Sequence, residues 1–224
     1  IFVAAGSVAM YYVSSFLQGL PFHLFGSSIA FLYFLSMYLW NSLASIETTQ
    51  HHGISRYRFY SAHRKSLFSL SAAIVTAILI ASFTYNESLF YLMFFTCVLG
   101  LGYHMPLVPK PLQKFFRYKT LKDIPTSRDL FVALAWATVL TFSPQCLNGT
   151  ILFKPSSIIT FCWIFLVAFF RSLIFDLRDI EGDRIMGRET LITIVGEKKA
   201  RKATFMMICI CIVALLLFPL LIGP

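Results

Sequence analysis

The chain has 224 residues, 58% of them hydrophobic and only 13% charged, with a net charge of +9. A soluble domain carries about 25% charged residues, so the polar side chains here are too few to cover a surface in water. That excludes an ordinary soluble domain and points to an integral membrane protein.

In chain order, seven apolar stretches are expected to span a bilayer, at residues 2–18, 24–46, 66–84, 88–107, 129–147, 157–176 and 203–222. Crossing about 30 Å of hydrocarbon takes about 20 residues at 1.5 Å per residue. Lipid offers the backbone no partners, so such segments must be helices. Runs such as ICICIVALLLFPLLI lack the alternation of barrel strands. The expected fold class is therefore all-α, a polytopic transmembrane helix bundle. The first stretch has neither the basic head nor the small-residue cleavage site of a signal peptide. Because the chain opens on Ile1 and stops at Pro224 beside a span, the reading is one transmembrane domain, 1–224, cut short at its C-terminal end.

Charge alternates between the connecting loops. The first and third, GLPFH and TYNES, carry no Lys or Arg. The second carries Arg56, Arg58, Arg64 and Lys65, and the fourth Lys110, Lys114, Arg117, Lys119, Lys122 and Arg128. The fifth has Lys154 alone, and the sixth, from Asp176 to Lys202, is crowded with charge. The positive-inside rule puts the second, fourth and sixth loops in the cytoplasm, as expected for a multi-pass protein of a cell inner membrane. Basic loops of this kind also touch anionic lipid. SRYRFYSAHRK mixes bases with aromatics, but beside a bilayer it suits lipid headgroups or diphosphate better than nucleic acid. His51, His52 and His63 fit no metal spacing. Cys97, Cys146, Cys162, Cys209 and Cys211 read as small apolar residues of the spans. The sequons at Asn86 and Asn148 carry little weight in so short a pattern.

The bases have a topological explanation, and the acids of FDLRDIEGDRIMGRETL do not. Asp176, Asp179 and Asp183 stand at i, i+3 and i+7, one face of a helix. Stacked carboxylates repel unless a cation sits between them, and Mg²⁺ takes carboxylate oxygens together with substrate phosphates. Arg178, Arg184 and Arg188 could hold phosphate oxygens. Gly182 and Gly187 are expected to turn the chain where the helix ends. The residues alone thus suggest a site for Mg²⁺ and a phosphorylated compound; the alternative is a solvated helix end of mixed charge.

DLRDIEGDRIMGRETL resembles the second aspartate-rich motif of the UbiA superfamily of intramembrane prenyltransferases, D-x-x-D-x-x-G-D followed by G-x-x-T-L. GYHMPL is similar to that family's tyrosine segment, with Tyr103, Pro106 and Leu107 kept and His104 in a Ser position. LKDIPTSRDLFVALAWA resembles the lysine-bearing start of the fifth span. The likeness covers nearly the whole chain and implies a nine-helix fold of which seven helices are seen. The first motif departs from the family. Asn41, Glu47 and Arg56 match, whereas Ser42, Ser45 and Thr49 stand at the aspartate positions. Hydroxyls bring no negative charge to Mg²⁺. Three readings follow: Asn41, Glu47 and one metal suffice, the substrate differs, or the reaction is lost.

The resemblance implies Mg²⁺-dependent transfer of a prenyl group from a polyprenyl diphosphate to an aromatic or other lipophilic acceptor, as in quinone biosynthesis. It implies catalytic Asp176, Asp179, Asp183 and Tyr103. Substrate would be held by Asn41, Arg56, Lys122, Arg178 and Arg184, and metal by Asp176, Asp179, Asp183, Asn41 and Glu47. Arg128, Lys110 and Lys114 are further candidate bases. The alternative is a catalytically impaired relative that binds an isoprenoid lipid or quinone, or serves as a subunit of a membrane complex. A transporter ranks third, because the spans hold few ionisable groups and no clear inverted repeat.

Overall fold

The computed structural model describes residues 2–44, 54–103, 127–149, 154–185 and 196–222. Among these residues the regular structure is eight α-helices: α1 (Phe2–Leu17), α2 (Leu24–Ala44), α3 (Ile54–Ala62), α4 (Arg64–Tyr85), α5 (Glu87–Gly102), α6 (Ser127–Leu147), α7 (Pro155–Ile185) and α8 (Glu197–Ile222). Four are long and apolar enough to cross a membrane: α2, α4, α6 and the Pro155–Leu177 part of α7. The helices α1 and α5 are apolar but shorter, at 16 residues each. The expected seventh span lies within α8, a helix of 26 residues.

The packing is inside-out relative to a water-soluble bundle. Large apolar side chains such as Phe16, Ile80, Phe83, Leu99 and Phe205 face outward, while Ser7, Ser14, Ser36, Ser71, Ser82, Thr141 and Ser143 are buried. Lipid is as apolar as leucine, so burying leucine between helices gains little there. Small residues that let backbones approach closely gain more. Many interior hydroxyls bond back to their own helix, for example Ser7 Oγ to the Ala4 carbonyl at 2.6 Å and Thr160 Oγ1 to that of Ser156 at 2.7 Å. Others tie neighbours: Ser71 Oγ on α4 donates to the Ser36 carbonyl on α2 at 3.1 Å, and Tyr33 Oη on α2 to that of Thr96 on α5 at 3.3 Å. Gly26 marks a close approach of α2 to α1 and α6, since a Cβ there would overlap Tyr11 Oη and Leu147 Cδ1.

The central helix is α6, more than half buried (56%) over its membrane-length window, against 17% for α4 at the periphery. It carries Pro144 inside the helix. Proline has no N–H, so the carbonyl four residues earlier loses its donor. That carbonyl is Leu140, and Ser14 Oγ of α1 donates to it at 2.6 Å. One turn on, Gln18 Nε2 donates to the Thr141 carbonyl at 3.1 Å. Gln145 Nε2 then donates to Gln18 Oε1 at 2.6 Å and to Ser157 Oγ of α7 at 2.7 Å. Polar side chains in and just after α1 thus repair the break in α6 and bring α7 into the same knot. Just beyond α1, Gly19 takes φ 64°, and the Leu20 N–H bonds the Ser15 carbonyl at 2.9 Å, closing the helix as a Schellman turn.

At this end too, Asn86 caps α5: its Oδ1 accepts from the N–H groups of Ser88 at 2.8 Å and Leu89 at 3.3 Å, while Nδ2 donates to the Cys146 carbonyl at 3.1 Å. Asn148 Nδ2 donates to the Pro144 carbonyl at 2.8 Å. Both sequon amides are therefore engaged in helix-end bonds.

Two expectations are corrected. The apolar run expected at 157–176 and the acidic run after it form one continuous helix of 31 residues, and Gly182 lies inside it, not at a turn. A helix interior tolerates one glycine at a cost of about 1 kcal/mol, which the flanking ladder absorbs. At 1.5 Å per residue α7 is about 46 Å long, more than the ~30 Å of hydrocarbon. The second loop, expected as a basic connection between spans, contains the nine-residue α3, separated from α4 by His63 alone. Gly187 lies outside the described residues.

Replacing Ser14 by Ala orphans the Leu140 carbonyl in the bundle interior and should lower stability by about 1–3 kcal/mol. Ser7→Ala removes a hydroxyl whose acceptor keeps its own helical donor, and should cost no more than about 0.5 kcal/mol. Unfolding midpoints of the detergent-solubilised variants check both.

Candidate functional site

The up-and-down course of the chain gathers the starts of α4, α6 and α8 with the ends of α2, α5 and α7 at one end of the bundle. The first turn of α6 supplies Ser127, Arg128 and Asp129 in sequence. Asp129 and Asp176 are each only 2% exposed. Two carboxylates so deep in an apolar bundle need a counter-charge, and Arg128 provides it. Its Nη2 ion-pairs with Asp176 Oδ1, and its Nε lies 3.5 Å from Asp129 Oδ1. Ser172, one turn before Asp176 on α7, donates from Oγ to Asp129 Oδ1 at 2.5 Å. Two crossed contacts therefore lock α6 to α7: arginine of α6 to aspartate of α7, and serine of α7 to aspartate of α6.

Tyr103 ends α5 as its C-terminal cap, buried at 9% exposure. Its hydroxyl lies 3.1 Å from Ser127 Oγ, and its ring packs at 5.5 Å between centroids against Phe131. The tyrosine is thus bound to the same first turn of α6 that holds the carboxylates. Deeper in, Trp136 of α6 stacks on Phe34 of α2 at 4.1 Å, and the guanidinium carbon of Arg171 of α7 lies 4.1 Å over the Trp136 ring.

Of the residues expected at the site, Asp176 and Tyr103 are both tied to the first turn of α6, Asp176 through the candidate base Arg128 and Tyr103 through neighbouring Ser127. Asn41 lies half-buried in the last turn of α2, at the same end; Ser42 follows it, also half-buried. Arg178, Asp179, Asp183 and Arg184 lie on α7, and Arg56 on α3, with their side chains outside the described residues. Glu47, Lys110, Lys114, Lys122 and Arg188 lie outside the described residues altogether, as do Ser45, Thr49, His104, Pro106 and Leu107. The unbroken course of α7 through Ile185 does support the premise that Asp176, Asp179 and Asp183 share a helical face. Among the described side chains no three of His, Cys, Asp or Glu converge.

Sequence reasoning missed Asp129, Ser172, Arg171 and Trp136. Two signals could have found them: an Arg-Asp pair at the mouth of a membrane helix, and a lone arginine in the apolar run FFRSLIF. Ionisable groups at membrane depth mark functional interiors.

The sequence matches the UbiA prenyltransferase family over residues 1–224. The chain belongs to that family. Its fold is similar to the apo structure of a UbiA homolog from Aeropyrum pernix K1, with a TM-score of 0.71 and 14% identity over 100% of this chain and 82% of that one. It is also similar to a UbiA homolog from Archaeoglobus fulgidus bound to DMAPP and Mg²⁺, with a TM-score of 0.68 and 16% identity over 97% of this chain and 75% of that one. The same homolog bound to GPP and Mg²⁺ gives 0.68 and 15%. At such identities the likeness establishes the UbiA fold. No curated protein sequence matches the chain.

Arg128→Met should remove this cation from beside two buried carboxylates and cost about 3 kcal/mol of stability. Asp176→Asn in that background should cost less than it does alone. A double-mutant cycle on thermal unfolding measures this coupling, which is absent if the two side chains do not meet.

Proposed function

We propose that this UbiA-family chain transfers a prenyl group from a polyprenyl diphosphate to a lipophilic acceptor, with Mg²⁺, at the cytoplasmic face of the membrane. The observation that carries this reading is the pairing of half-exposed Arg128 with buried Asp176 at the acidic end of α7. It places a carboxylate and a guanidinium side by side at the mouth of the bundle, where an anionic head can sit in the polar layer while its hydrocarbon remains among the helices. The DMAPP and GPP complexes of the Archaeoglobus homolog, both with Mg²⁺, support the same assignment of substrate class and metal.

The donor chemistry fits Mg²⁺. Asp176 is a hard oxygen donor, and Asp179 and Asp183 follow it along the same continuous helix at i+3 and i+7. These three would hold the metal on one side, with Asn41 at the end of α2 and Glu47 assigned to complete its ligands. Bound there, Mg²⁺ would neutralise charge on the diphosphate as a Lewis acid. Arg128, whose side chain is 39% exposed, can turn donors to the diphosphate oxygens without leaving Asp176; Arg56, Lys122, Arg178 and Arg184 are assigned the same task. When the C1–O bond breaks, the electron pair leaves with the diphosphate and the allyl carbon becomes cationic. The Tyr103 ring, fixed through Ser127, is assigned to face that cation. The nucleophilic atom of the acceptor then bonds to C1 and gives up a proton. Apolar walls exclude water, which would otherwise capture the cation.

A second reading is favoured by Ser42, Ser45 and Thr49, which replace the carboxylates of the first motif. In that case the chain retains the fold to bind an isoprenoid lipid or quinone, or to join a membrane complex.

Incubating the purified protein with Mg²⁺, radiolabelled GPP and a membrane extract separates the two. The transferase reading expects a prenylated lipid, its loss with EDTA, and a drop of about 100-fold or more for Asp176→Asn and for Asp179→Asn. Absence of product, together with no thermal stabilisation by GPP and Mg²⁺, transfers the assignment to the binding role.

A further inference from the structure

The start of α8 carries Lys198, Lys199, Arg201 and Lys202, and no charged residue follows them in the helix. The step from Lys202 to Ala203 is therefore a border between polar and apolar surroundings. Ala200 and Thr204, 8% and 5% exposed, turn toward α7, where Ala200 packs on Leu177. Ile208 continues that face against Phe170 and Leu173. Arg201 is taken by Glu197, at 3.0 Å. Lys199, Lys202, Ala203, Met206 and Ile210 share the opposite face, are all exposed, and line a groove of about 300 Å³. Among the described residues neither lysine is in an ion pair.

The groove has the pattern of an amphiphile. Two cations stand at its mouth. The single methyl of Ala203 leaves room beneath them, and Met206 and Ile210 wall the apolar part. Methionine adapts its shape to a mobile chain. Lys199 and Ile210 are 11 positions apart, about 16 Å along the helix, close to the ~15 Å of hydrocarbon in one leaflet. Lysine stems reach along apolar surface and keep their ammonium groups at the headgroup level. Inorganic phosphate would satisfy the lysines and leave Met206 and Ile210 unused. Another helix would cover the apolar wall and leave two cations unmatched. A phospholipid brings phosphate and chain on one molecule, and a net negative headgroup suits two bases better than a zwitterion.

We infer that this face of α8 binds one anionic phospholipid, its phosphate at Lys199 and Lys202 and an acyl chain along Met206 and Ile210. Seated there, the lipid backs α8 where Ala200 meets Leu177, the residue after Asp176, and so steadies the acidic end of α7. The inference is independent of the transferase reading.

Native mass spectrometry of the full chain from detergent micelles, titrated with dioleoylphosphatidylglycerol or dioleoylphosphatidylcholine, is the test. One phosphatidylglycerol should be retained, at least tenfold more tightly than phosphatidylcholine. The double variant Lys199→Gln/Lys202→Gln should bring the two lipids within twofold of each other. Ala203→Leu, which keeps both charges and fills the groove, should weaken phosphatidylglycerol at least fivefold. Arg58→Gln/Arg64→Gln removes two exposed bases at the same end of the bundle, outside the groove, and should change retention by less than twofold. If the lysine double variant does not fold, Lys199→Gln alone, with Ala203→Leu, still decides. Equal retention of the two lipids overturns the inference, as does unchanged phosphatidylglycerol binding in the lysine and Ala203 variants. An equal loss in Arg58→Gln/Arg64→Gln overturns it by reducing the effect to general charge. Displacement of the lipid by inorganic phosphate or by GPP also overturns it, because the groove would then take a different phosphate.

Discussion

The bridge from Arg128 to Asp176 and Asp129 is the constraint around which this end of the bundle is organised. Two carboxylates at 2% exposure are costly to hold in an apolar interior without a cation beside them. Arg128 satisfies both from a single helical turn, and the bond from Ser172 to Asp129 fixes the relative height of α6 and α7. Because Tyr103 is bonded to Ser127, the residue just before Arg128, the end of α5 is indexed to the same turn. A shift of α6 by one residue would break all of these contacts together. The polar layer is therefore a register mark as well as a site.

Below that layer the bundle is held by close approach and by hydroxyls, as lipid requires. Buried serines and threonines lie among the helices, and bulky aromatics such as Phe16, Phe83 and Phe205 face outward. This division lets a few true ionic groups stand out. Arg128, Asp129, Arg171 and Asp176 all belong to α6 and α7, and the carboxylates and the arginine stacked on Trp136 mark two levels of one interior.

Much of this could be read from the sequence. Hydropathy found the membrane helices to within a few residues, because the contrast between apolar runs and basic loops is steep. The motif DLRDIEGD was legible because its spacing encodes a helical face. The continuity of α7 was not, since charged residues after an apolar run read equally well as a loop, and Gly182 as a stop. Asp129 was hidden because an aspartate in the first turn of a helix has an ordinary reading as a partner of the helix dipole. Its burial depends on a serine 43 residues away, and that of Asp176 on an arginine 48 away. Such pairings are set by how helices lie against each other, which periodicity within one helix does not specify.

Pro144 carries a consequence for how the protein is made. A helix with a broken ladder would present the naked Leu140 carbonyl to hydrocarbon if it were released into the bilayer alone. Its donor, Ser14, belongs to a helix that leaves the ribosome before α6 does. By the time α6 is threaded into the membrane, its mending group is already there. Biogenesis can then proceed in the order of translation, with α1 waiting as the template on which the central helix is completed.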